Sequence, residues 1–94
     1  MNDIKYISGV KPDGKRYAQF WATVKLYGLT SEECVAEIYE RDGRFGFMVT
    51  PEAPDNIFGS VQYVLMNLQS GKLITGTHSV TWKFGKPTFE KVTA

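Results

Sequence analysis

Residues 16–28 read Arg-Tyr-Ala-Gln-Phe-Trp-Ala-Thr-Val-Lys-Leu-Tyr-Gly, and the two faces of that run are unequal. Ala18, Phe20, Ala22, Val24 and Leu26 form an unbroken apolar row at the even positions. Tyr17, Gln19, Trp21, Thr23, Lys25 and Tyr27 mix rings with polar and basic groups at the odd ones. Successive strand side chains point to opposite faces, so one long strand here gives a core face and a contact face.

Upstream, Ile4, Tyr6 and Val10 alternate with Lys5 and Ile7, which predicts a first strand over residues 3–10. The linking Lys11-Pro12-Asp13-Gly14-Lys15 is a turn with a mechanism. Pro12 presets φ, Asp13 can bond its own backbone and Gly14 accepts positive φ. The two runs and their turn make a β-hairpin.

Downstream, Thr30 and Glu33 have capping-box spacing. Cys34, Val35, Ile38 and Tyr39 recur at helical spacing, with Glu32, Glu33, Glu37 and Glu40 mostly off that stripe. These signals predict a first helix, stopped by Arg41-Asp42-Gly43-Arg44. Phe45, Phe47 and Val49 then alternate as a strand that Pro51 ends. Residues 51–56 form a rigid polar connector in which Asp55 or Asn56 can cap a second helix.

Ile57, Phe58, Val61, Val64, Leu65 and Leu68 make that second helical stripe, with Gly71 at its C-terminus. Val61, Tyr63 and Leu65 also alternate, so a strand over 61–69 is the rival; the length of the stripe favours helix. A short strand at Lys72–Thr75 is a further option. His78, Val80, Trp82 and Phe84 alternate as a strand, and Gly85-Lys86-Pro87 turns into a last one over Thr88–Val92. The expected fold is α+β: two layers, a largely antiparallel sheet with two helices on one face, in the order ββαβαββ.

Ninety-four residues suit a single domain, 1–94, and the composition is ordinary globular usage. No apolar run approaches the ~20 residues of a membrane helix, and the N-terminus lacks signal-peptide regions. One cysteine excludes an internal disulfide, which fits the cytoplasm. Residues 1–27 carry five cations against two acids, residues 28–55 two against seven, and residues 56–94 four against one. An acidic centre thus lies between mildly basic ends.

His78 and Cys34 are the only residues of their types, so one chain cannot build a His/Cys metal cluster. Core packing is the simpler meaning of each: His78 lies on the apolar side of its strand, Cys34 on the helical stripe. No phosphate-binding glycine loop is present. No enzyme activity, cofactor or metal is expected.

The stronger lead is aromatic and basic. Tyr17, Trp21, Lys25 and Tyr27 share a strand face, with Lys15 and Arg16 at its base and Lys83 on the C-terminal hairpin. Rings plus cations on an open sheet stack bases and track phosphates in single-strand binders. Ser8-Gly9-Val10, Gly14-Lys15 and Tyr17 resemble the first hairpin of the small single-stranded-DNA-binding proteins of filamentous phages. That likeness covers ten residues, and the expected helices depart from the all-β barrel of that family. The same rings also suit a protein interface or a second copy of the chain. The excess of cations at each end is small for a nucleic-acid domain. Protein binding therefore ranks first: an accessory or inhibitor-type domain of bacterial or phage kind, with a homodimer through the aromatic face as one form of it. Single-stranded nucleic-acid binding through the same face ranks second, and no membrane partner is expected.

Overall fold

A computed structural model describes residues 4–72 and 75–92. Its strands are β1 (Ile4–Val10), β2 (Arg16–Leu26), β3 (Leu29–Arg41), β4 (Arg44–Val49), β5 (Gly76–Lys83) and β6 (Lys86–Lys91). One helix, α1 (Ile57–Gln69), lies between β4 and β5. All pairings are antiparallel and the sheet order is β4-β3-β2-β1-β5-β6. The chain therefore meanders from β1 to β4, crosses one face as α1, and returns beside β1.

The two-helix order ββαβαββ does not hold: the order is ββββαββ, with a single helix on a six-stranded sheet. The difference lies in residues 30–40, which form β3 and not a helix. Tertiary pairing wins there for identifiable reasons. Tyr27-Gly28 and Asp42-Gly43, at its two ends, take positive φ at both central positions, 53° and 78° in one and 53° and 76° in the other. That is the geometry of two-residue hairpin turns whose twist matches the flanking strands. Both ends of the segment are thereby folded back onto neighbours, whereas a helix of about eleven residues is marginal without packing.

A bulge disguised the strand. Phe20 faces Ala36 and Trp21 faces Cys34, so Val35 is an extra residue in β3. Val35 and Ala36 are consequently both buried, and the period-two alternation breaks into what reads as a helical stripe. The acids expected on a solvated helix face are cross-strand partners: Glu37 accepts from Gln19 Nε2 at 3.1 Å and Glu40 binds Arg16. Ser31 Oγ donates to Glu33 Oε1 at 2.9 Å, in place of a capping box with Thr30.

The second expected helix is present, and the rival strand over 61–69 is not. Ile57, Ser60, Val61, Val64 and Leu68 are its buried residues. Neither Asp55 nor Asn56 supplies the expected cap: Asn56 holds the N-cap position and makes no side-chain hydrogen bond there. At the other end Gly71, at φ 84°, donates its N–H to Leu68 O at 3.1 Å. Gly59 is where Trp82 rests on the helix, too close to admit a β-carbon. The option of a strand at Lys72–Thr75 falls partly outside the described residues.

The core lies between α1 and the inner sheet face. Tyr6 is its hub, fully buried, with ring centroids 5.2 Å from Phe20 and 5.0 Å from Phe89. His78 belongs here too, 8 % exposed, with its ring 5.9 Å from Tyr6 and Nδ1 without a partner among the described residues.

Candidate functional site

The other face of the sheet is covered by no described element, and the register lays out its residues in rows. Gly9, Tyr17, Tyr39 and Gly46 form one row across β1, β2, β3 and β4. Thr77, Ile7, Gln19, Glu37 and Met48 form the next. Ser79, Lys5, Trp21 and Cys34 form a third.

These side chains are held in place by each other. The Tyr39 ring leans over Gly46, occupying room that a β-carbon would need, and the Tyr17 ring leans over Gly9, where a β-carbon would sit 3.3 Å from its hydroxyl. Glycines flanking the tyrosine pair thus let the rings lie flat on the sheet. Trp21 Nε1 donates to Gln19 Oε1 at 3.2 Å, and Gln19 Nε2 donates onward to Glu37. Pre-set rings lose little rotamer freedom on contact, which favours their use as anchors. Met48 stands beside them, 63 % exposed.

Cys34 lies on this face, half-buried, and not in a helical stripe. Its Sγ donates to Ala36 O at 3.4 Å. Burial and then the nearby Glu37 carboxylate push the thiol pKa up, which keeps it in the un-nucleophilic form. Among the described residues no group of three or more His, Cys, Asp or Glu could hold a metal ion.

The seven residues singled out from sequence divide into groups. Tyr17 and Trp21 lie on the uncovered face, half-buried, and Lys25 and Lys83 stand exposed at its far end. Tyr27 does not share the strand face: it occupies a hairpin tip, wholly exposed. Lys15 is exposed at the opposite end of β2, where its backbone N–H donates to Asp13 Oδ1 at 2.9 Å. Arg16 is on the α1 side, sharing its row with Glu40 and Phe45. Its Nε reaches Glu40 Oε1 at 3.1 Å, and its guanidinium carbon lies 4.7 Å from the Phe45 ring centre. The hydrogen bonds from Arg16 hold the Glu40 carboxyl below the usual carboxylate range.

Sequence reasoning missed Tyr39, Met48 and Phe84. The first two were hidden by the helix reading of β3, which put them on no shared surface with Tyr17. Alternation alone extends the β5 strand through Phe84. The residue sits instead at the tip of the β5–β6 turn, φ 54°, followed by Gly85 at 76°. An aromatic-glycine pair midway between alternating runs was the available signal.

Among the described residues no helix is long and apolar enough to cross a membrane. No family model, curated protein or solved structure matches the chain.

Proposed function

We propose that this is a protein-binding domain of accessory or inhibitor type, without enzymatic activity, that works in the cytoplasm and not on a membrane. Its contact surface is the uncovered sheet face. The observation that carries the reading is the set of rings fixed there, Tyr17 and Tyr39 lying over glycines and Trp21 bonded to Gln19, beside an exposed Met48. Tyr, Trp and Met are enriched in interface cores. Lys5, Lys25 and Glu32 give the surround charges of both signs, which suits a polar rim.

Nucleic-acid binding is the weaker reading. Glu37 lies in the middle row, and Arg16 is engaged by Glu40 on the opposite face. A phosphate track would need cations in those places.

The test compares capture from cell lysate by immobilised wild type, Met48→Glu and Met66→Glu. Met66 is equally exposed, but on the helix. A set of proteins lost with Met48→Glu and kept with Met66→Glu is expected. Capture indifferent to Met48→Glu, or tight salt-sensitive binding of a labelled single-stranded oligonucleotide, would refute the reading.

A further inference from the structure

Phe84 is 99 % exposed and belongs to no part of the core. Turns of its type are ordinarily built from Asn, Asp or Gly at that position, because a β-carbon crowds the backbone at positive φ. The hairpin therefore carries a ring where the fold gains nothing from one, as the Tyr27 tip also does, and the Phe84 tip differs in what adjoins it. Lys83 and Lys86 bracket the tip as a directly opposed pair.

Register places this tip beyond the end of β1, since Val80 faces Ile4 and Phe84 lies four residues further on. Behind it, between β5 and the segment before α1, opens a cavity of about 660 Å³. Ile4, Val80 and Trp82 contribute its apolar wall, Glu52 and Asp55 contribute carboxylates, and Lys83 reaches the same rim from the knob side. An aromatic knob flanked by cations and an apolar hollow edged by acids thus adjoin at one end of one molecule.

We propose that this end binds a second copy of the chain. Each Phe84 ring enters the cavity of the other, with Lys83 and Lys86 against Glu52 and Asp55 of the partner subunit. A two-fold interface requires one patch to carry both complementary features, and this patch does. The patch carries two acids and two cations close together, a mixed-sign surface that complements its own copy better than a uniformly anionic lipid or nucleic-acid surface. Two rings bury only about 300–500 Å², against ~1,200 Å² or more for a standard interface. The dimer is accordingly weak, forming at micromolar concentrations and above. The proposal shares only Lys83, at the far end, with the sheet face and does not rest on that reading.

Sedimentation equilibrium of the full chain, from micromolar to millimolar and at low salt, tests it. The wild type is expected to show a monomer–dimer equilibrium, and Phe84→Asn, which suits the turn, to stay folded and monomeric. Lys83→Glu with Lys86→Glu in one variant, and Glu52→Lys with Asp55→Lys in another, should each be monomeric. Their equimolar mixture should dimerise, because every contact then pairs opposite charges. A wild type monomeric throughout overturns the proposal. So does a dimer that survives Phe84→Asn, or one lost with Met48→Glu instead, which would assign it to the sheet face. Co-sedimentation with phosphatidylserine vesicles that Phe84→Asn abolishes, without dimerisation, assigns the knob to lipid and also overturns it.

Discussion

The Tyr39 ring lies over Gly46 so closely that a β-carbon there would come 2.7 Å from it. The two residues face each other across β3 and β4, and Tyr17 treats Gly9 on β1 in the same way at 3.3 Å. The row of the uncovered face nearest the β1–β2 turn thus holds a pair of tyrosines, each lying outward over a glycine.

Gly46→Ala should therefore destabilise the protein by about 1–3 kcal/mol, the usual cost of forcing atoms into an occupied space. Gly9→Ala should cost less, because the nearest Tyr17 atom would be 3.3 Å away and needs to yield only slightly. Urea denaturation of both variants, with Tyr39→Ala/Gly46→Ala as the double mutant, checks this. With Tyr39→Ala alone completing the cycle, the double mutant should lose less than the sum of the two single losses, since the two residues share one contact.

Tyr27→Asn should raise stability by about 0.5–1 kcal/mol. Tyr27 holds φ 53° while wholly exposed, so it bears the left-handed penalty with no packing to offset it. Asn tolerates that conformation at the first central position of such a turn. Thermal unfolding reads the change as a higher Tm.

The Arg16–Glu40 pair gives stability an acid limb. Hydrogen bonds from Arg16 depress the folded-state pKa of Glu40. Its contribution is present above the unfolded value of about 4.3 and is lost as pH falls through the folded value. Melting wild type against Glu40→Gln should show a Tm gap at neutral pH that closes in acid. A gap constant across that range would mean the pair is not the cause.

What was legible in the sequence was whatever obeyed a single period. The β1–β2 hairpin shows in the alternation around Pro12-Asp13-Gly14, and α1 in a stripe too long for a strand. β3 was illegible because Val35 adds a residue to it, so two apolar neighbours share one face. Asp42-Gly43 reads equally well as a helix stop, and only the pairing of β3 with β4 makes it a hairpin turn. The candidate face was half legible for the same reason. Tyr17 and Trp21 were visible on β2, whereas Tyr39 and Met48 needed that same pairing. Arg16 stood out as a cation, and only the fold turns it towards Glu40.

The central claim is that the sheet face bearing Trp21 is a surface left open for a partner. The most direct measurement is the unfolding free energy of Trp21→Ala in the isolated chain. Half-buried on an uncovered face, Trp21 should cost about 1–2 kcal/mol when truncated, within the range of ordinary substitutions. A loss of about 3–5 kcal/mol, the cost of emptying a Trp-sized space in a core, would mean that the face is covered and would contradict the account.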